Sequence, residues 1–378
     1  MIPRVVFEET LLEFFAPIRS FLEDPNVTDI MINGPAQVYV ERRGRLYLTD
    51  ARFESKEGLL AALRNAAQFT GKPLDVDRPI LEGRLPDGSR IEAVLPPLAP
   101  DGPHVSIRRF FQETLTVDRL IEFGALTPDA AELLRAIVGS KLNVVVAGGT
   151  GSGKTSMLNA LASFVPAGER VVVIEDSREL QLQRDHVVQL EARPPDARGK
   201  GAVTIRELFR ATLRLRPDRI VVGEIRGGEA LDLVQAMTSG HGGCLTTLHA
   251  TYPRDTLTRL ETMAMMSGVD MPLAAVRSQI GSAVQFIVQT ARVRDGTRKV
   301  THISEVRGYD PALSTYVLSD VMLRRFDGTG PKGEVLSELV GTGDAPQTLS
   351  ILREHGFDLP RSVLAPRPCE LEAHGHGG

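Results

Sequence analysis

The sequence predicts an α/β protein, a doubly wound parallel sheet preceded by a smaller α+β domain. Three observations predict it. Between residues 143 and 250, short apolar runs at 144–147, 171–174, 220–222 and 244–248 alternate with helical patterns, the order of a sheet buried on both faces. The first run breaks into glycines and restarts as a helix, so that Gly148, Gly153, Lys154 and Thr155 match G-x-x-x-x-G-K-[ST]. Ahead of these, residues 25–110 change character to short strands and hairpins around one helix.

The spacing of the motif follows from its chemistry. Glycines let backbone N–H groups turn inward around an anion, and the new helix N-terminus adds positive potential. Lys154 is placed to bridge the β- and γ-phosphates, and the Thr155 hydroxyl to ligate Mg²⁺. A glycine-rich turn with an incidental lysine is the bland alternative. The strand before and the helix after are the context the motif demands, so the expected ligand is a nucleoside triphosphate.

Composition narrows the class. At 378 residues the chain has room for two domains and appendages. Its 42% hydrophobic and 24% charged residues are those of a soluble globular protein. A net charge of −4 supplies no global basic field for nonspecific nucleic-acid binding, so no nucleic-acid partner is expected. Cys244 and Cys369 are too few for a disulfide framework and form no CxxC pair, which suits a reducing cytoplasm. No apolar run approaches the ~18–20 residues of a membrane span, and Glu8 and Glu9 stand where a signal peptide needs basic and apolar residues. Work at a membrane is therefore expected from the cytoplasmic side, through partners.

In chain order, residues 1–24 form an amphipathic helix. Leu11, Phe14, Phe15, Ile18, Phe21 and Leu22 make a stripe that is either core or a partner-binding or membrane-surface face, and Pro17 demands a kink or a helix start. The domain at 25–110 holds strands at 29–33 and 37–40 around Asn33-Gly34-Pro35, a third at 46–48, a helix over 56–70, and a hairpin over 81–95 with Asp87-Gly88 in its turn. It closes at 104–110. A linker spans 111–126, and Thr127-Pro128-Asp129 starts the next helix with an N-cap and a first-position proline. The nucleotide domain is expected over 127–310. Within it Thr204 to Glu207 read as a capping box, helices are expected at 253–266 and 272–283, and a closing hairpin at 284–306 turns at Asp295-Gly296. After Asp310 the periodicity weakens; 311–378 is a C-terminal extension, expected to be partly disordered in its His- and Gly-rich last residues.

Ligands of parallel sheets collect at the C-terminal edge of the strands. Glu175, Glu224 and His249 each follow an apolar strand and so belong beside the phosphate loop. One acid can orient or deprotonate the attacking water, the other can serve Mg²⁺. A histidine at a strand end is as often a hydrogen-bonded structural residue, so His249 and His241 keep both readings. Arg206, Arg210 and Arg214 share one helix face, a solvated stripe or a phosphate-reaching one. Arg108 and Arg109 lie near the linker and are candidates to reach a phosphate across a domain or subunit boundary.

These residues resemble a known family. GGTGSGKTS, VIEDSRELQL, LRLRPDRIVVGEIRGGEAL and SGHGGCLTTLHA are similar to the secretion-ATPase superfamily that drives type II and type IV secretion and type IV pilus assembly. VTDIMINGP, VYVERRGRL, DGSRIEAVLPPLAPDGPHVSIRRF, RPPDARGKGAVTIREL and SAVQFIVQTARVRDGTRKVTHISEV resemble its CpaF/TadA branch, the motors of tight-adherence (Flp, type IVc) pili. The resemblance covers about residues 22–308. It implies a RecA-like P-loop ATPase core binding ATP and Mg²⁺ through Gly148, Gly149, Thr150, Gly151, Ser152, Gly153, Lys154, Thr155 and Ser156. It implies Glu175 as catalytic carboxylate, Glu224 on Mg²⁺ and water, His241 and His249 as γ-phosphate sensors or couplers, and Arg108 and Arg109 as fingers, with the Arg206/Arg210 stripe second. It further implies a homo-hexamer pulling on inner-membrane platform proteins.

The sequence departs from that pattern at Gly242 and Cys244, where Asp and Ser are usual, at Ser156, where Thr is common, and at Ser177-Arg178. No nucleotide-binding residue type is lost. Three rivals stand beside the pilus motor: a traffic ATPase of type IV or type II secretion, a regulatory switch that binds without hydrolysing, and a nucleic-acid motor, which the acidic balance disfavours.

Overall fold

The computed structural model describes residues 4–42, 44–71, 73–110, 115–195 and 199–365. The chain divides into two units, residues 1–113 with 197–200, and 114–196 with 201–378. Residues 111–114 of the expected linker and the His- and Gly-rich tail lie outside the described residues.

In the first unit, α1 (Arg4–Phe14) ends before a 3₁₀ turn at Ala16–Ile18 that carries Pro17, and α2 (Arg19–Glu23) follows. Proline lacks the N–H the helix needs, so the stripe breaks there. Leu11, Phe15, Ile18 and Leu22 nevertheless all turn inward, with Phe15 edge-on to Phe53 at 6.4 Å. The stripe is core. Strands β1 (Val27–Asn33), β2 (Gln37–Arg42) and β3 (Arg45–Leu48) precede α3 (Lys56–Thr70). That helix starts where Ser55 accepts from Gly58 N–H and stops at left-handed Gly71. Strands β4 (Ile80–Arg84), β5 (Arg90–Val94) and β6 (His104–Arg108) complete an antiparallel sheet in the order β3-β2-β1-β6-β5-β4, against which α3 buries Leu59, Ala62, Leu63 and Ala66.

The second unit opens with α4 (Val117–Glu122) and α5 (Pro128–Gly139), capped by the Thr116 and Thr127 hydroxyls. Then come β7 (Val144–Gly148), α6 (Lys154–Ser163), β8 (Val171–Glu175), β9 (Val187–Glu191), α7 (Ile205–Thr212), β10 (Arg219–Val222), α8 (Glu229–Thr238) and β11 (Leu245–Leu248). Helices α9 (Pro253–Met265) and α10 (Leu273–Ala283) lead into β12 (Phe286–Arg292) and β13 (Arg298–Asp310). The parallel core runs β12-β7-β11-β10-β8-β9. Every residue of β7, β8, β10 and β11 is buried, which is why these strands read as unbroken apolar runs. The capping box forms, with Thr204 and Glu207 bonded reciprocally.

Beyond Asp310 the sheet continues, although no strand is legible there. Strands β14 (Thr315–Thr329) and β15 (Val335–Gly341) extend it antiparallel from β13, and α11 (Leu349–Glu354) and α12 (Arg361–Leu364) follow. Val321, Met322 and Leu339 of these strands and Leu352 and Val363 of the helices join the hydrophobic core, and a buried polar group anchors the segment between β15 and α11. Glu305, 1% exposed, accepts from Gln347 N–H (2.8 Å), Thr348 N–H (2.9 Å) and Thr348 Oγ1 (2.8 Å). Replacing Glu305 with alanine strands those donors, and urea unfolding is expected to register a loss of about 3 kcal/mol. Limited proteolysis should then cut first within residues 342–365. Wild-type stability in Glu305→Ala would show that this anchor carries nothing.

Candidate functional site

The phosphate loop is held in shape by contacts that only glycine permits. Gly151 and Gly153 adopt φ of 69° and 94°, and a Cβ on Gly148 would lie 2.4 Å from both Ser152 Oγ and Thr290 Oγ1. Those two hydroxyls bond each other at 2.9 Å, and Thr290 Oγ1 donates to Ala147 O at 3.0 Å, tying the loop to β12. Ser152 N–H turns back onto Gly149 O (3.3 Å), and Arg298 Nε donates to Gly151 O (2.9 Å).

Lys154 opens α6 with its ammonium on Gly149 O (3.0 Å) and beside the His249 ring, 3.3 Å from Nδ1. His249 Nε2 lies 2.8 Å from Glu224 Oε1. Burial and then the Lys154 charge push the His249 pKa down, so the imidazole is neutral, Nε2–H donating to Glu224 and Nδ1 accepting from Lys154. The other oxygen of Glu224 is clamped by Arg226, with Nε at 2.6 Å; Arg226 Nη1 also faces Asp176 at 3.4 Å. Both faces of the Glu224 carboxylate are therefore covered.

Glu175 ends β8 only 4% exposed. Its Oε1 accepts from Glu179 N–H (2.8 Å) and Leu180 N–H (2.9 Å). Burial dominates all the same and lifts its pKa to about 7, the range a general base requires. Gly223 leaves the room for it, since a Cβ there would sit 2.9 Å from Glu175 Cγ. Glu179 itself reaches the loop, its Oε2 3.3 Å from Thr155 Oγ1. Sequence reasoning passed over this acid. The one signal was its place four residues beyond Glu175 in the same acidic segment.

Glu175, Glu224, His249, Lys154 and Thr155 thus gather at the C-terminal edge of the parallel strands. His241 does not join them. It precedes β11, and its carbonyl accepts from the Cys244 thiol at 3.0 Å, so the whole strand, roughly 15 Å of extended chain, separates it from His249. Cys244 is fully enclosed and burial pushes its thiol up to about 12, so the thiol in the usual serine position is inert.

The arginines divide. Arg206 and Arg210 both pair with Asp232 of α8, at 2.6 and 3.0 Å, and Arg206 Nη1 also bonds Ser267 O at 2.7 Å. This stripe staples helices. In the first unit, Arg109 Nη1 donates to Phe21 O (3.0 Å) and Asp24 O (2.6 Å), whereas Arg108 is exposed at the end of β6.

The oxygen donors near Thr155 suit a hard cation. Among the described residues no group of three or more His, Cys, Asp or Glu side chains could hold a metal ion.

A family described as "Type II/IV secretion system protein" matches residues 12–313. A putative conjugal transfer protein of Mycobacterium tuberculosis is 37% identical over 296 residues, covering 77% of this chain and 84% of that one. The type IV secretion system protein VirB11 of Brucella suis is 33% identical over 323 residues, covering 78% and 89%. The crystal structure of the pilus retraction motor PilT with bound ADP shares the fold at 18% identity and a TM-score of 0.53, over 92% of this chain and 86% of that one.

Proposed function

The chain belongs to the type II/IV secretion system protein family, and we propose that it is a motor ATPase that hydrolyses ATP to power assembly, or retraction, of a tight-adherence type IV pilus. The observation that carries this reading is the convergence of Lys154, His249 and Glu224 on one phosphate loop, with Thr155 and Glu179 beside them. The segments resembling tight-adherence motors, from VTDIMINGP to RVRDGTRKVTHISEV, support the pilus assignment.

In this reading ATP lies along Gly148 to Ser156 and draws Lys154 off Gly149 O onto its β- and γ-phosphates. Removing that charge from His249 raises the basicity of the imidazole, because Lys154 helps hold it down. His249 thereby senses the phosphate and alters its grip on Glu224. Thr155 and Glu224 would hold Mg²⁺, with Glu179 in reach of the same hydroxyl; the ion supplies neutralisation of phosphate charge. Glu175 takes the proton of the attacking water, and positioning and charge stabilisation supply the rest. Arg108, the exposed member of the pair, acts as the finger, and Arg109 holds its segment in place. His241, at the far edge of the sheet, serves coupling between subunits. The working assembly is a homo-hexamer on the cytoplasmic side of the inner membrane, docked on platform proteins; among the described residues no helix is long and apolar enough to cross a membrane.

A second reading, a traffic ATPase of type IV secretion, is favoured by relatives named for conjugal transfer and VirB11. Genes for a prepilin and pilus platform proteins beside this one would favour the pilus; transfer genes would favour the rival. The direct test of the motor is ATP turnover against protein concentration with light scattering in parallel. Turnover per chain should rise as a hexamer forms. A monomer with the same rate at every concentration overturns the ring motor, and tight ATP binding without turnover leaves a regulatory switch.

A further inference from the structure

We propose that Gln289 of β12 is a positioning residue for His249: its side-chain amide fixes the turn that leaves β11 and so sets the imidazole between Lys154 and Glu224. The proposal rests on the reading of His249 as the phosphate sensor of the nucleotide loop.

Three observations carry it. Gln289 Nε2 donates to Ala250 O (3.0 Å) and Thr251 O (3.1 Å), the carbonyls of the two residues directly after His249. In the order β12-β7-β11, two sheet spacings, roughly 10 Å, separate the outer strands, more than a glutamine side chain can reach. The chain leaving β11 therefore turns across the end of β7, the strand that runs into the phosphate loop, to meet this amide.

The next residue of the same strand holds the loop itself. Successive strand side chains point to opposite faces, and Thr290 Oγ1 bonds Ser152 Oγ and Ala147 O. Gln289 pairs in register with Ala147 and Thr290 with Gly148, level with the point where β7 becomes the loop. Two consecutive residues of β12 thus grip both halves of the site, the loop that carries Lys154 and the turn that carries His249.

The third observation is a penalty. Gln289 is 2% exposed, and its Oε1 is buried without a hydrogen-bond partner. An unpaired buried acceptor is destabilising, and an apolar side chain of the same length would avoid it. Such a side chain could not hold the two carbonyls, so the donor half of the amide is what the position requires. His249 has little room to drift, with Nδ1 3.3 Å from Lys154 Nζ and Nε2 2.8 Å from Glu224 Oε1.

The test uses the full chain. Gln289→Met keeps the length and removes the donors; Gln289→Asn keeps the amide but is one methylene too short to reach both carbonyls. In both variants the His249 imidazole resonance should titrate at higher pH, because burial and Lys154 hold its pKa down in the wild-type site. Their kcat for ATP should fall about tenfold while KM changes less than about twofold. A double-mutant cycle separates positioning from general loss of fold: in a His249→Ala background, Gln289→Met should cause no further loss. Equal losses in both backgrounds, or a wild-type His249 titration in the variants, overturn the proposal. Where Gln289→Met does not fold, Gln289→Asn decides by the same readouts. Wild-type protein that fails to bind ATP would overturn the nucleotide reading instead, and the titration, which needs no nucleotide, would still decide whether Gln289 positions His249.

Discussion

Lys154→Ala is expected to abolish ATP hydrolysis, by at least about a hundredfold, and to weaken nucleotide binding. The Lys154 ammonium is 8% exposed as a residue and sits between Gly149 O and His249. At an effective dielectric near 20, a charge about 4 Å from each of two phosphates is worth several kcal/mol, and alanine replaces none of it. The same substitution has a signature independent of turnover. Lys154 is one of the groups holding the His249 pKa down, so the imidazole resonance should titrate at higher pH in Lys154→Ala. Wild-type turnover in the variant would remove the loop from the mechanism. An unmoved His249 titration would break the proposed link between phosphate and sensor.

Glu175→Gln should keep ATP binding while removing turnover, because glutamine still accepts the Glu179 and Leu180 amides but cannot take a proton. In wild-type protein the carboxyl has its pKa lifted to about 7, so turnover should climb as pH rises through 7 and the base ionises. Stability runs the other way. A folded-state pKa above the unfolded value makes the neutral acid the favoured folded form. Its stabilising contribution is complete below the unfolded pKa, about 4.5, and is lost as pH rises through about 7. The rise from 4.5 to about 7 amounts to roughly 3 kcal/mol across that window. Glu175→Gln should flatten this dependence, so that urea unfolding finds the variant equal to wild type at pH 4 and more stable at pH 8. Unchanged turnover in Glu175→Gln would sink the assignment of the catalytic acid; a pH dependence of stability that survives the substitution would show that burial of this carboxyl is not its source.

Glu224 poses a different question, because the structure covers both of its oxygens, one with His249 and one with Arg226. So held, the carboxylate must release one of these partners before it can serve an ion. Phosphate binding that pulls on Lys154 acts directly on this cluster, since Lys154, His249 and Glu224 form one chain of contacts.

What the sequence by itself determined is what local chemistry dictates. The phosphate loop was complete in eight residues, because glycine freedom, a following helix and a lysine are all local requirements. The strands buried on both faces announced themselves as unbroken apolar runs, and Glu175, Glu224 and His249 followed because a residue after a parallel strand must lie at its C-terminal edge. The α/β class and the family rested on the same stretches. Where burial is one-sided the signal failed. Strand β9 carries half-buried residues at the sheet margin, and β14 and β15 bury apolar residues such as Val321, Met322 and Leu339 only at irregular spacing, across register shifts.

Only the tertiary structure decided which charges meet. His241 and His249 stand eight positions apart in sequence, yet a full strand puts them at opposite edges of the sheet. Glu179 reached Thr155 through the path of a loop, Arg206 and Arg210 were claimed by Asp232, and Arg298 came to the phosphate loop because β13 pairs with β12 and β12 with β7. Local sequence specifies backbone conformation and burial, whereas long, flexible charged side chains take whatever partner the packing of distant elements brings within reach.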